Sequence, residues 1–238
     1  MSTMKSEPAV PSQQPPIEPP PSPSPLAPSP LAPSPTETSV VALPALASGV
    51  PVAVFGFAVV VTMLSLNNAG VIASGTLFVP VAMVVGFFAI GIGGLFEIRN
   101  GDLFGGTFGI AYAAFLLVTG VSLRFFAPAA DASAADSAAF GVALGAWLLV
   151  WALISLIFTV AARLVNITAL VGFALLTAVL LFAGLANIVG GEAAATLTKL
   201  SGWAGIVDGL ASFWLAGGLL LNTMYGRDLL PLGAPAST

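Results

Sequence analysis

Residues 77–98 read LFVPVAMVVGFFAIGIGGLFEI, and this stretch decides the class of protein. It holds a single charged residue, Glu97, close to its end. A helix needs about 20 mostly apolar residues to cross the hydrocarbon core of a bilayer. The stretch therefore predicts a membrane-spanning helix.

The whole chain has the composition of an integral membrane protein. Of its 238 residues, 58% are hydrophobic and 7% are charged, whereas soluble domains are about 45–50% apolar and about 25% charged. The net charge is −4, with six Lys and Arg residues, which argues against a nucleic-acid-binding surface. The chain has no Cys and no His, so disulfides, Cys/His metal sites and a Ser–His–Asp triad are excluded.

Five further segments are long and apolar enough to cross a membrane. The six predicted spans are 50–67, 77–98, 103–123, 138–162, 165–187 and 201–225. Ten-residue segments of alternating polarity, which are typical of membrane barrels, are absent from the sequence. Because a helix satisfies its own backbone hydrogen bonds inside the hydrocarbon, the predicted fold is an all-α membrane protein with six transmembrane helices.

The ends of the chain differ from this membrane domain. Fourteen of the 19 prolines lie between Pro8 and Pro44. Proline fixes φ and removes a backbone donor, which favours an extended, solvated chain. We therefore expect a disordered Pro-rich N-terminal tail at 1–47, a six-helix transmembrane transporter domain at 48–230 and a short C-terminal tail at 231–238.

Positive charges near the spans predict the orientation, because cytoplasmic loops are enriched in Lys and Arg. A cytoplasmic N-terminus places four such residues inside and two outside: Lys5, Arg99, Arg163 and Arg227 against Arg124 and Lys199. Both termini are therefore predicted to be cytoplasmic. The abundance of Ala, Val, Gly and Pro suggests a GC-rich bacterial genome, and hence a bacterial plasma membrane.

Small residues recur four positions apart in three rows. The rows are Gly101/Gly105/Gly109/Ala113, Gly141/Gly145 and Ser201/Gly205/Gly209. Such rows let helix backbones approach closely. Each row alone favours packing within the chain, and three rows in one small domain also make contact between subunits plausible.

Polar residues inside spans are the candidate functional residues, because burying them in hydrocarbon is costly. Asp208 lies midway along the sixth span and could exchange protons, or it could lie in a wet vestibule. Glu97 is a second candidate for proton transfer, or it pairs locally with Arg99 or anchors at the headgroups. Asn67, Asn68 and Asn187 end spans, where they could serve as caps or contact a substrate.

Enzyme chemistry finds no support in the sequence. No nucleophile–base pair, zinc motif or nucleotide-binding motif is present. The glycine-rich stretch at 105–109 follows no strand and lies in an apolar span, so it is not a phosphate loop. We expect a conduit for a small solute, without catalytic residues, cofactor or metal.

Three stretches together resemble the acetate uptake transporter family, also called the succinate–acetate permease or acetate–ammonia transporter family. They are FGFA at 55–58 with LNNAG at 66–70, GLFEIRNGDLFGGT at 94–107 followed by Tyr112, and LN…YGR…LPLG at 221–233. Residues 48–54, SGVPVAV, depart from the family's usual Asn-Pro-Ala-Pro-Leu-Gly-Leu. Asp208 also departs, since a neutral residue is expected there.

The resemblance implies six helices per subunit and a ring of typically six subunits, with a pathway through each. It implies uptake of acetate and sometimes succinate, either proton-coupled or channel-like. The family's narrow hydrophobic constriction corresponds by position to Phe57, Tyr112 and Leu176. The expected partners are the small carboxylate, protons and the lipid bilayer.

Two alternatives remain open. The altered stretch at 48–54 allows another small solute, such as ammonia, ammonium or another monocarboxylate. The proline-rich tail allows a membrane sensor or assembly protein that does not transport, with the tail as its interaction arm.

Overall fold

The computed structural model describes residues 47–235. The tail predicted at 1–47 lies outside this range except for its last residue, and so do the last three residues of the tail predicted at 231–238. Within the described range the regular structure is helical, with no strand.

Six helices are long and apolar enough to cross a membrane. They are α1 (Val50–Asn68), α2 (Phe78–Asn100), α3 (Leu103–Phe126), α4 (Ala134–Ala162), α5 (Ile167–Val189) and α6 (Gly191–Tyr225). Their order and positions confirm the predicted all-α membrane fold. Two of them contain π-helical segments. In α2 this segment is Ala82–Ile90, and in α3 it is the last stretch, Ser122–Phe126.

Helices α4 and α6 begin before the residues predicted for them, α4 by four residues and α6 by ten. The sequence predicts a start at 201 for the sixth span, whereas α6 begins at Gly191. The added turns contain Glu192 and Lys199, so apolar character does not reveal them. Ala and Leu in the same turns favour a helix whether or not it is immersed in lipid.

Local sequence signals set several helix ends. Gly101 adopts φ +81° after α2, a conformation that side chains with a Cβ avoid. Asp102 then caps α3, because its carboxylate accepts a hydrogen bond from the Gly105 N–H at 3.0 Å. Ser133 and Asn166 cap α4 and α5 in the same way.

The helices close into a ring. Helix α1 packs between α2 and α6, and α6 packs on α5, which packs on α4. Helix α3 packs on α2 and meets α4 through side chains, with the Phe115 and Trp151 ring centroids 4.6 Å apart. The side chains that point into the ring are therefore shared by helices far apart in sequence.

The predicted rows of small residues bring helices of the same chain together. A Cβ on Gly109 would collide with the backbone of Gly94 in α2, and a Cβ on Gly145 would lie 2.7 Å from the carbonyl oxygen of Gly184 in α5. Gly205 approaches α1 as closely. Each row thus contributes a close contact within the chain.

The segment after α6 folds back onto the helices. The Asn222 carboxamide oxygen accepts hydrogen bonds from the N–H groups of Leu229 and Leu230, and its amide group donates to the Leu230 carbonyl oxygen at 2.9 Å. The N–H and hydroxyl of Thr168 both donate to the Leu232 carbonyl oxygen. This end of the chain therefore packs on α5 and α6.

Aromatic side chains fill the middle of the ring. The buried members of this cluster are Phe57, Phe108, Tyr112, Phe115, Trp151, Phe158 and Phe173. They come from α1, α3, α4 and α5, so the core links helices on opposite sides of the ring.

Candidate functional site

Two cavities of about 210 Å³ each lie among the helices. The first, here the Asp208 cavity, is lined among others by Val54, Asp102, Asn166, Phe173 and Asp208. The second, here the Asn187 cavity, is lined among others by Val61, Leu64, Asn68, Leu180 and Asn187. The first lies toward the start of α1 and the second toward its end.

Phe57 and Leu176 separate the cavities. Among residues 47–235, they are the two that line both cavities. Phe57 is 7% exposed and Leu176 is 4% exposed, and they lie on α1 and α5. A solute that passed from one cavity to the other would have to pass these two apolar side chains.

Tyr112 packs against Phe57, which together with Leu176 forms the constriction between the two cavities. Its ring lies edge-on to that of Phe57, with the centroids 6.2 Å apart, and Tyr112 lines neither cavity. Its hydroxyl oxygen lies 2.6 Å from Ser155 Oγ, and the Ser155 hydroxyl donates to the Trp151 carbonyl oxygen. Because a serine hydroxyl has one proton to donate, Tyr112 is the donor to Ser155.

Three further phenylalanines line the Asp208 cavity, and none of them is among the site residues predicted from the sequence. They are Phe104, Phe108 and Phe173. The ring centroids of Phe108 and Phe57 are 6.0 Å apart, and those of Phe108 and Phe173 are 5.5 Å apart. The available signal was the four-residue spacing of Phe104, Phe108 and Tyr112, which places them on one face of α3.

Asp208 contributes a carboxyl group to its cavity. Its side chain is fully buried. Oδ1 lies 3.4 Å from the Ser212 hydroxyl, a donor one turn further along α6, and Oδ2 has no hydrogen-bond partner among the described residues. Buried polar atoms are nearly always hydrogen-bonded, so this oxygen marks a position where a partner is missing.

The Glu97 carboxylate binds the start of a neighbouring helix. Its Oε1 accepts hydrogen bonds from the Ser48 hydroxyl at 2.9 Å and from the N–H groups of Gly49 and Val50. The carboxylate therefore caps α1 from another helix, where the free N–H groups and the helix dipole favour a negative charge. Glu97 lines neither cavity.

The three predicted asparagines are divided between two environments. Asn68 and Asn187 line the Asn187 cavity, and the Asn187 amide donates to the Ala183 carbonyl oxygen at 2.8 Å. The Asn67 amide donates instead to the Ile72 carbonyl oxygen at 3.4 Å, in the loop after α1. Asn67 lines neither cavity.

The Asp208 cavity also receives the starts of three helices. Val50 of α1, Asp102 at the cap of α3 and Asn166 at the cap of α5 all line it. Helix N-termini carry partial positive charge. Carboxylates already cap α1 and α3, whereas the cap of α5 is a neutral asparagine.

Within residues 47–235, no group of three or more Asp, Glu, His or Cys residues could hold a metal ion. A ring of six apolar helices encloses two cavities that meet at one constriction. This arrangement defines a multi-pass membrane protein with an internal route for a small solute.

The chain belongs to the GPR1/FUN34/yaaH family, whose model matches residues 31–225. It is 30% identical over 189 residues to the succinate-acetate/proton symporter SatP of Escherichia coli (strain K12), covering 79% of this chain and 96% of that protein. It is 28% identical over 201 residues to a protein of Methanothermobacter thermautotrophicus, covering 82% of this chain and 95% of the other.

A solved structure shares the fold. The structure of the bacterial acetate channel SatP superposes with a TM-score of 0.70 at 27% identity, covering 79% of this chain and 99% of that chain. The family resemblance drawn from the three sequence stretches is thereby confirmed.

Proposed function

We propose that this protein transports small carboxylates, most of all acetate and also succinate, through the centre of each subunit. One observation carries the proposal: of the residues that the structure describes, two cavities inside the ring share Phe57 and Leu176 alone. A route that narrows to two apolar side chains suits a solute with a small apolar end.

The size of the cavities agrees with such a solute. A single water needs about 10–15 Å³ of cavity, so a cavity of about 210 Å³ has room for a small organic acid and several waters. A carboxylate pays heavily to enter hydrocarbon without hydrogen bonds. In this proposal, water that accompanies the solute into the cavities on both sides confines that cost to the short passage between Phe57 and Leu176, where an apolar constriction can gate by dewetting.

The remaining predicted residues take supporting roles in this proposal. Asn68 and Asn187 offer amide donors to a carboxylate that enters the Asn187 cavity. Tyr112 holds the Phe57 ring in place, while its hydroxyl is occupied by Ser155. Asn67 holds the loop after α1, and Glu97 fixes the start of α1.

The altered stretch at 48–54 is consistent with transport of small carboxylates. Ser48 and Gly49 both donate hydrogen bonds to Glu97, so this stretch still closes the start of α1 beside the Asp208 cavity. Its change therefore supplies no specific argument for ammonium as the transported solute.

The protein acts as a transporter, not an enzyme, in this proposal. The relatives whose names state an activity are a symporter and a channel. No chemical step on the substrate is needed for the solute to cross, and no cofactor is required.

We place the protein in a bacterial plasma membrane with both termini cytoplasmic. Arg99 lies in the last turn of α2, and Arg163 and Arg227 follow α4 and α6, all at the end of the ring where α1 begins. Arg124 and Lys199 lie toward the other end. The Lys/Arg bias supports a cytoplasmic location for the first end. In this orientation the Asp208 cavity is the cytoplasmic one.

Each subunit is proposed to assemble with others, as the family's typical ring of six suggests. The outer face of α4 is rich in exposed apolar residues, including Leu153 at 65% and Ile157 at 69% exposure, and such a face packs against lipid or a neighbouring subunit. Native mass spectrometry of the purified protein measures the subunit number.

The test of function is uptake of labelled acetate into proteoliposomes, with and without a pH gradient and with competing acids. We expect protein-dependent uptake that unlabelled acetate and succinate reduce and ammonium does not. Uptake equal to that of protein-free liposomes would contradict the proposal. Deleting residues 2–45 should leave transport intact, whereas a sensor or assembly protein that uses this tail would lose its partner.

A further inference from the structure

The Asp208 carboxyl group is built into the proposed route without a complete set of partners. It is fully buried, and its Oδ2 has no hydrogen-bond partner among residues 47–235. Ser212 is its one side-chain donor, at 3.4 Å. The same side chain lies in the wall of the cavity that ends at Phe57 and Leu176, beside the proposed route of the solute.

A cation is a poor candidate for the missing partner. Calcium takes six to eight oxygen ligands and magnesium requires an octahedron, and ammonium has four N–H bonds to satisfy. Around Asp208 the lining of the cavity is mostly apolar, with the Ser212 hydroxyl as the neighbouring oxygen. A ligand with one strong hydrogen bond to offer and an otherwise apolar body fits these surroundings better.

A carboxylate ion alone is also excluded from this position. Two ionised carboxylates held about 4 Å apart, at an effective dielectric of about 20, repel enough to weaken binding about a thousandfold. One proton placed between them reverses the sign of the interaction, because the protonated group donates a short, charge-assisted hydrogen bond to the ionised one.

We propose that Asp208 binds the transported monocarboxylic acid as an acid–carboxylate pair that shares one proton, and thereby couples each acetate to one proton. This inference rests on the proposed function and names the residue that sets its coupling. The methyl group of the acid then faces Phe57, Leu176 and Phe173, which line the same cavity.

The proton balance is simple. In uptake, acetic acid passes Phe57 from the Asn187 cavity and meets ionised Asp208, and the two oxygens share the acid's proton in one O–H···O bond. When acetate leaves for the cytoplasmic solution, the O–H bond of the acid breaks as the Asp208 O–H bond forms. Asp208 then releases this proton to the solution in its cavity, so one proton and one acetate enter with no net charge.

Few other titratable groups face this carboxyl group. Helices α1 and α5 contain none within their spans. From α3, Asp102 at its cap lines the same cavity, while Tyr112 packs against Phe57 and bonds Ser155. Asp102 caps α3 through the Gly105 N–H, whereas Asp208 is the fully buried carboxyl group of this cavity.

The test compares wild type with Asp208→Asn and Asp136→Asn in proteoliposomes that contain a pH-sensitive dye. Asp136 is exposed near the start of α4 and lines neither cavity, so Asp136→Asn makes the same change of charge outside the proposed route. Labelled acetate uptake and internal pH are recorded together, with an imposed membrane potential and with protein-free liposomes subtracted.

Wild type and Asp136→Asn should take up one proton per acetate and ignore the membrane potential. Once the pH is high enough to leave both carboxyl groups ionised, their uptake should fall by about tenfold per pH unit, as binding of one shared proton requires. Asp208→Asn should lose the proton signal, lose this pH dependence and respond to the membrane potential.

Each other outcome overturns the inference in a recognisable way. Acetate uptake by Asp208→Asn with unchanged proton stoichiometry means that Asp208 does not couple transport, while the proposed function stands. Competition by ammonium that disappears in Asp208→Asn means that the site binds a cation. Absence of uptake by wild type defeats the proposed function itself.

A second measurement uses the wild-type protein, so it does not depend on whether a variant folds. Infrared difference spectra of wild type labelled with ¹³C-aspartate should show an aspartate carboxyl band that changes when acetate is added. If no band that carries the aspartate label responds to acetate, the pair does not form.

Discussion

Replacing Phe57 with alanine tests the constriction. The Phe57 side chain is 7% exposed, and its ring stands between two cavities of about 210 Å³ each. Removing it joins these spaces, leaving Leu176 as the one residue that separates them. Water can then accompany a solute through the passage.

The size of the effect follows from the hydrogen bonds that the solute keeps. A buried polar group that lacks a hydrogen bond costs about 1–3 kcal/mol, and each 1.36 kcal/mol off a barrier is about tenfold in rate. Succinate has a second carboxylate to keep solvated. Retaining one more water in the passage should therefore raise succinate flux, relative to acetate flux, by about five- to 150-fold.

The matched control is Phe158→Ala. Phe158 is 8% exposed and belongs to the same aromatic cluster, but it lines neither cavity. Both variants should lose stability, because truncating a buried phenylalanine costs about 3–5 kcal/mol. Only Phe57→Ala should change the ratio of succinate to acetate uptake in proteoliposomes.

Measuring stability together with selectivity distinguishes the loss of the gate from a general destabilisation of the fold. The melting temperatures of the two purified variants should fall together, while their transport selectivities diverge. If Phe57→Ala and Phe158→Ala have the same succinate-to-acetate ratio as wild type, Phe57 is not the gate, and the reasoning from the shared lining of the cavities is refuted.

Three other substitutions test the surrounding structure. Tyr112→Phe should lower stability by about 1 kcal/mol and leave the KM for acetate unchanged, because its hydroxyl bonds a serine and not the substrate; a rise in KM measured by initial-rate uptake would contradict this. Glu97→Ala should cost about 1–3 kcal/mol, because it leaves buried donors at the start of α1 without an acceptor, whereas Glu97→Gln, which retains an acceptor, should lose less in a thermal melt. Gly94→Ala places a Cβ 2.7 Å from the α3 backbone and should cost about 1–3 kcal/mol. Gly217→Ala, where the nearest atom would lie at 3.7 Å, should melt close to wild type, and equal melting of the two glycine variants would show that the close approach is not required.

The membrane spans could be predicted from sequence because their signal is local. Length and apolar character are properties of each segment, and five of the six predicted starts fall within four residues of the helix starts in the structure. The start of α6 was missed because its first turns carry Glu192 and Lys199, which a helix tolerates and an apolarity criterion rejects.

The partners of the candidate residues could not be predicted in this way. Glu97 caps a helix that begins 47 residues earlier, and Tyr112 bonds Ser155 on the next helix, 43 residues away. Such pairings depend on how helices pack around the ring, and no local pattern encodes them. The sequence therefore singles out Glu97 and Asp208 alike as acids in spans, and only the structure separates a helix cap from a group that lines a cavity.

The positions of Phe57, Tyr112 and Leu176 were inferred from the family resemblance. That their side chains form the narrowest part of the transport route remains a prediction. The structure supports it for Phe57 and Leu176, which line both cavities, and gives Tyr112 a place behind them.

A thiol-blocking measurement tests the central claim, that acetate crosses the membrane between Phe57 and Leu176. The chain has no cysteine, so Leu176→Cys introduces a single thiol at a residue that lines both cavities. Leu153→Cys places the control thiol at a residue that is 65% exposed on the outside of α4. Both variants are treated with a small methanethiosulfonate reagent, and modification is verified by mass before labelled acetate uptake is measured. We predict that modification abolishes uptake by Leu176→Cys and leaves uptake by Leu153→Cys and wild type unchanged. Full modification of Leu176→Cys with undiminished acetate uptake would contradict the claim.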